Sequence, residues 1–110
     1  MGAWAEGNFD NDTALDLVAY VADNVAKEMS PPSQAEDIDL VMAAVAVRKA
    51  LVEHCYAPPP KRSEIQTLKE VVLSVFDEQI DSLKPTPQYK ANRRRTIADT
   101  FDKFLRLLTT

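Results

Sequence analysis

The sequence has almost no glycine. Only Gly2 and Gly7 occur among 110 residues, and none follows position 7. That excludes the glycine-rich loops that wrap backbone N–H groups around a phosphate. Histidine and cysteine occur once each, as His54 and Cys55. One cysteine cannot form an internal disulfide, so nothing points to an oxidising compartment. A zinc site takes three or four ligands, which one histidine and one cysteine do not supply. Long apolar runs are missing too. The longest uncharged one, residues 40–47, is far short of the roughly 20 residues a membrane span needs. No basic stretch followed by an apolar one opens the chain, so no signal peptide is expected. Gly2 follows Met1, but Glu6 stands where a myristoylation signal carries Ser or Thr.

What is present is an ordinary balance, 45% hydrophobic and 27% charged, which fits one soluble domain over residues 1–110. The net charge of −4 conceals an asymmetry. Residues 1–60 hold three basic and ten acidic side chains; residues 61–110 hold ten basic and seven acidic. Two readings follow: the halves attract each other within the fold, or the basic half meets an acidic partner.

Proline divides the rest into four amphipathic segments, at about 11–28, 34–56, 64–83 and 87–108. In the first, Leu15, Val18, Ala22, Val25 and Met29 recur in steps of three and four, with Leu17 and Val21 widening the stripe. Asp16, Tyr20, Asp23 and Lys27 fall opposite. Ser30-Pro31-Pro32 ends the segment. The second has Ser33 as its expected cap and is apolar on two faces. Ile38, Val41, Val45 and Val52 form one; Leu40, Ala44, Val47, Leu51 and Cys55 form the other. Such a helix is expected to be buried on both. Ser63 and Gln66 have the spacing of a capping box for the third segment. Its inner residues are Ile65, Leu68, Val72, Val75, Phe76, Ile80 and Leu83. Thr86 and Pro87 open the fourth, with Tyr89, Ile97, Phe101, Phe104, Leu105 and Leu108 inward. Arg95–Asp99, Asp99–Lys103 and Asp102–Arg106 are spaced to pair along its surface. No segment alternates as a strand does. The expected fold is all-α: a compact four-helix, mostly antiparallel bundle. A three-helix core with the remaining helix swapped into, or packed against, a second copy is the alternative.

The first dozen residues, MGAWAEGNFDND, concentrate both glycines, the only tryptophan and one phenylalanine. Asp10, Asn11 and Asp12 are suited to cap the first helix, with Phe9 as a hydrophobic staple before the cap. Trp4 and Phe9 then form an aromatic arm that closes one end of the bundle. The stretch resembles the opening of a bacterial family, domain of unknown function 4259, whose members share a pattern like Gly-x-Trp-Gly-x-Gly-x-Phe-Asp-Asn-Asp-x-Ala-x-Asp. Gly2, Trp4, Gly7, Phe9, Asp10, Asn11, Asp12, Ala14 and Asp16 match it. Ala5 replaces a usual glycine, and Leu17 stands where an aromatic is common. The resemblance covers the first 16 residues. It implies a small, intracellular bacterial protein and brings no catalytic residue, cofactor or substrate.

Few residues carry chemistry. Asp10, Asp12 and Asp16 begin like a calcium loop, but such a loop needs glycine at its sixth position and glutamate at its twelfth. Leu15 and Val21 occupy those positions, so capping is the better account. His54 and Cys55 are neighbours on a helix and project about 100° apart, so they form no nucleophile–base pair. Arg93, Arg94 and Arg95, with Lys90 and Tyr89 nearby, form the one basic cluster. It could bind phosphate backbones, yet the acidic chain lacks the footprint of a nucleic-acid domain.

The sequence therefore favours a non-enzymatic interaction or regulatory module without a cofactor or metal, located in the cytoplasm. Its expected partner is another protein, or a second copy met through the Ala/Val-rich second helix. The candidate recognition residues are Trp4, Phe9, Asp10, Asp12, Arg93, Arg94 and Arg95. The competing reading is a small-molecule or nucleotide pocket near His54 and Arg93–Arg95. Weak nucleic-acid binding through the arginines is the third.

Overall fold

The computed structural model describes Asn8 and residues 12–108. These form four α-helices and, among the described residues, no strand: α1 (Asp12–Lys27), α2 (Ile38–His54), α3 (Arg62–Gln79) and α4 (Pro87–Leu107). Short 3-10 turns at Ala35–Asp37 and Ile80–Leu83 lead into α2 and prolong α3. The four expected helices are all there, and the fold is all-α.

The main core lies among α2, α3 and α4. Phe76, Phe101 and Phe104 fill its centre, with Val45, Ile65, Val72 and Ile97 around them. Burying a Val, Leu, Ile or Phe side chain is worth about 1.5–3 kcal/mol, and these seven are the most completely buried of the large side chains. Helices α3 and α4 run antiparallel. The Arg62 side chain donates to the Leu105 carbonyl, and Lys69 Nζ lies 2.7 Å from Asp102 Oδ1. That second contact replaces the expected Asp102–Arg106 pair. A partner on the facing helix holds Asp102, and none of the three surface pairs expected along α4 is an ion pair among the described residues.

Helix α1 packs chiefly on α2 and makes a smaller cluster. Val18 and Ala22 bury with Ala57 against the half-buried Leu51, Val52 and Cys55. One neighbouring helix covers one narrow stripe, so Leu17 stays 60% exposed and does not widen the apolar face as expected. Leu83 and Tyr89, expected inward, are exposed as well. Leu83 falls in the 3-10 turn, where the helical phase changes.

Only one of the expected caps at residues 33, 63 and 86 forms. Thr86 Oγ1 accepts from the Tyr89 N–H at 3.1 Å, with Pro87 at the first helical position. Ser63 does not cap α3: the helix begins at Arg62, its N-cap Lys61 makes no side-chain bond, and Gln66 turns to Glu70 instead. Ser33 does not cap α2 either. Gln79, from the end of α3, serves this turn: its Oε1 accepts from the Ala35 N–H at 3.1 Å and its Nε2 donates to the Ser33 carbonyl at 2.9 Å. The chain also makes left-handed turns without glycine. Tyr56 (φ 59°) follows α2, and Lys84 (φ 54°) closes the turn after α3.

Candidate functional site

The arginine run illustrates how consecutive helical residues diverge. Arg93 reaches α2, where Nη2 donates to Asp39 Oδ1 at 2.8 Å. Arg94 reaches α3 and grips Asp77 with two bonds, Nε to Oδ1 at 2.8 Å and Nη2 to Oδ2 at 3.0 Å. Arg95 points elsewhere and meets only Asn92 Oδ1, at 3.4 Å. Lys90 completes the set with Asp81 at 2.8 Å. The hydrogen bond from Arg94 holds the Asp77 carboxyl below the usual carboxylate range, and the same contact raises Arg94. The cluster is thus largely neutralised by aspartates of its own chain. A phosphate would have to displace them.

The charge asymmetry is resolved only in part. Among the described residues, Arg93–Asp39 is the one ion pair that joins the acidic half to the basic half. The other described carboxylates of the first half are exposed.

His54 and Cys55 do not cooperate. The His54 side chain is largely exposed, with Nε2 3.3 Å from Glu53 Oε1. Glu53 is in turn held below its usual range by a hydrogen bond from Lys49. Cys55 is a free thiol, half-buried against α1. His54 also lies far from the arginines. Arg93 pairs with Asp39, and the 15 residues from Asp39 to His54 along α2 span about 22 Å. The expected pocket between His54 and Arg93–Arg95 therefore does not form. A cleft of about 260 Å³ does adjoin Arg93, between Ile38, Phe76, Leu83 and Tyr89. Among the described residues no group of three or more metal-type ligands converges. Likewise, no helix there is long and apolar enough to cross a membrane.

Of the N-terminal candidates, Asp12 is exposed in the first turn of α1, where the helix dipole favours its charge. Trp4, Phe9, Asp10 and Asn11, with the aromatic arm and the cap assigned to them, lie outside the described residues.

The surface that sequence periodicity misjudged is on α2. Ile38, Val41 and Val45 point into the core, as expected, and Met42 joins them there. The second apolar face splits. Ala44 is buried, and Leu51 and Cys55 are half-buried towards α1. Leu40 is 58% exposed and Val47 46% exposed. At about 100° per residue, Leu40, Ala43, Val47, Ala50 and His54 fall within one narrow stripe, and all five are exposed. Nothing in the sequence distinguishes this stripe from a buried one. Only the positions of α1 and α4 show that neither covers it.

The family model described as Domain of unknown function (DUF4259) matches residues 2–106. The chain belongs to this family. The match runs well past the N-terminal signature and takes in α1 to α3 and nearly all of α4. No curated protein and no solved structure matches the chain.

Proposed function

We propose that this DUF4259 member is a non-enzymatic interaction module of the bacterial cytoplasm that pairs with a second copy of itself through the outer stripe of α2. The observation that carries the reading is the solvent-exposed row Leu40, Ala43, Val47 and Ala50 on a helix whose opposite side is core. Scattered apolar residues on a surface are normal, but a contiguous row marks a contact site.

The order of residues along the row suits a two-fold pair. In an antiparallel arrangement centred near Val45, Leu40 meets Ala50 of the second copy and Ala43 meets Val47. Each large side chain then faces a small one, as self-complementary interfaces require. Glu36, just before α2, comes opposite His54, so a carboxylate faces an imidazole at the rim. The row is narrow, and the interface it makes is below the roughly 1,200 Å² of a stable complex. The association is accordingly weak and reversible. Nucleic acid is the poorer partner, because Lys90, Arg93 and Arg94 are already bound to aspartates.

Sedimentation velocity over a concentration series tests this. The wild type should move from the 12.3 kDa monomer towards twice that mass as concentration rises to about 1 mM. A Leu40→Glu, Val47→Glu double variant, still helical by circular dichroism, should remain monomeric. A wild type that stays monomeric throughout overturns the reading.

A further inference from the structure

A cleft of about 410 Å³ lies where the end of α1, the middle of α2 and the start of α3 meet. Ala26, Met29, Pro31, Ile65 and Leu68 give it apolar walls, and Arg48 is its cation. Five Lys and Arg side chains among the described residues are half-buried: Arg48, Lys49, Lys69, Lys90 and Arg93. Four of them have a carboxylate within 3.0 Å. Arg48 has none. Its Nη2 donates to the Pro58 carbonyl at 3.2 Å, and its buried Nε has no hydrogen-bond partner. A buried donor without an acceptor is costly, and a guanidinium is built to be satisfied by a carboxylate gripped at two points.

We propose that this cleft is a binding site for a small organic carboxylate with an aliphatic body, its carboxylate taken by Arg48 and its chain laid between Met29, Ile65 and Leu68. This ligand site is separate from the outer stripe of α2 and does not depend on self-association. Three features agree on the ligand's chemistry. The unpaired guanidinium calls for an anion. The apolar walls call for a hydrocarbon body, since each methylene moved from water into them is favourable. The first turn of α3, at Ser63 and Glu64, borders the same cleft and presents the positive end of an 18-residue helix. Glu64 is the one carboxylate in the lining, and it makes no ion pair with Arg48.

The test is NMR titration of the whole chain with octanoate, with uncharged octanamide as control, reading the methyl signals of Met29, Ile65 and Leu68. Saturable shifts with octanoate, and at least about tenfold weaker binding of octanamide, are expected. Arg48→Gln should lose about tenfold in octanoate affinity, and Arg48→Lys should recover part of it. Because Arg48 also holds the Pro58 carbonyl, Glu64→Gln provides a variant that leaves that contact intact. It should bind octanoate as tightly as wild type or tighter. Equal binding of octanoate and octanamide would reduce the site to a greasy cleft and overturn the proposal. So would the absence of saturable shifts, or an Arg48→Gln protein with a well-dispersed spectrum and unchanged affinity.

Discussion

Arg94 on α4 holds Asp77 on α3 through two parallel hydrogen bonds of 2.8 and 3.0 Å. The pair ties together the two helices that make most of the core, at the end of the bundle away from the Arg62–Leu105 contact. Both partners are about half exposed, which limits what the pair contributes to roughly 0.5–1 kcal/mol. Its geometry explains why a chain with three consecutive arginines does not present a free basic patch.

The pair has a pH signature. The Asp77 carboxyl is lowered in the folded state, so its stabilisation is complete above the ordinary aspartate range and is lost as pH falls through the lowered value. Asp77→Asn should cost about 0.5–1 kcal/mol in denaturant unfolding at neutral pH. Below the ordinary aspartate range the difference from wild type should shrink towards zero. A difference that is the same at acid and neutral pH would show that charge is not the source.

Lys84 illustrates what glycine scarcity conceals. With no glycine after position 7, the sequence gives no sign of left-handed turns, yet Lys84 and Tyr56 both adopt them. A side chain in that conformation costs about 1–2 kcal/mol, which tertiary packing absorbs. Lys84→Gly should therefore stabilise the protein by about 0.5–1 kcal/mol despite glycine's greater freedom when unfolded. Thermal unfolding measures it, and a lower melting temperature would refute it.

Caps separate what is local from what is not. Thr86 carries its signal in three consecutive residues, Thr-Pro-Gln after a proline, and forms the bond expected of it. Ser63 carries an equally good local signal and makes no cap, because α3 starts two residues earlier than that signal implies. Thr86→Ala should cost about 1 kcal/mol in unfolding free energy and Ser63→Ala close to nothing. Comparable losses at both would mean that Ser63 does cap in solution.

The same division runs through the molecule. Helix number, type and most of the inward residues were legible because 3.6-residue periodicity and proline are properties of neighbouring positions. The core phenylalanines Phe76, Phe101 and Phe104 follow directly from it. What was not legible depends on distant groups. Gln79 caps a turn 44 residues earlier in the chain, Lys69 takes Asp102 from its helical neighbours, and Arg48 is left without an acid. Leu40 and Leu17 looked like core because periodicity reports which residues are apolar, not which faces find a neighbour. The candidate site on α2 was visible as an apolar face, but its exposure was not.

The central claim is that the Leu40–Val47 stripe meets its own counterpart. Oxidative cross-linking tests it most directly. In a Cys55→Ala background, single cysteines are placed in separate chains at Ala43 and at Val47, which the antiparallel register brings opposite each other, and at Tyr20, which is 68% exposed but lies on α1. A mixture of the Ala43→Cys and Val47→Cys chains should form a disulfide-linked dimer rapidly, and a mixture of Tyr20→Cys with Val47→Cys slowly or not at all. Equal rates in the two mixtures would mean that the stripe makes no specific contact between copies, and the account of α2 as the interface would fail.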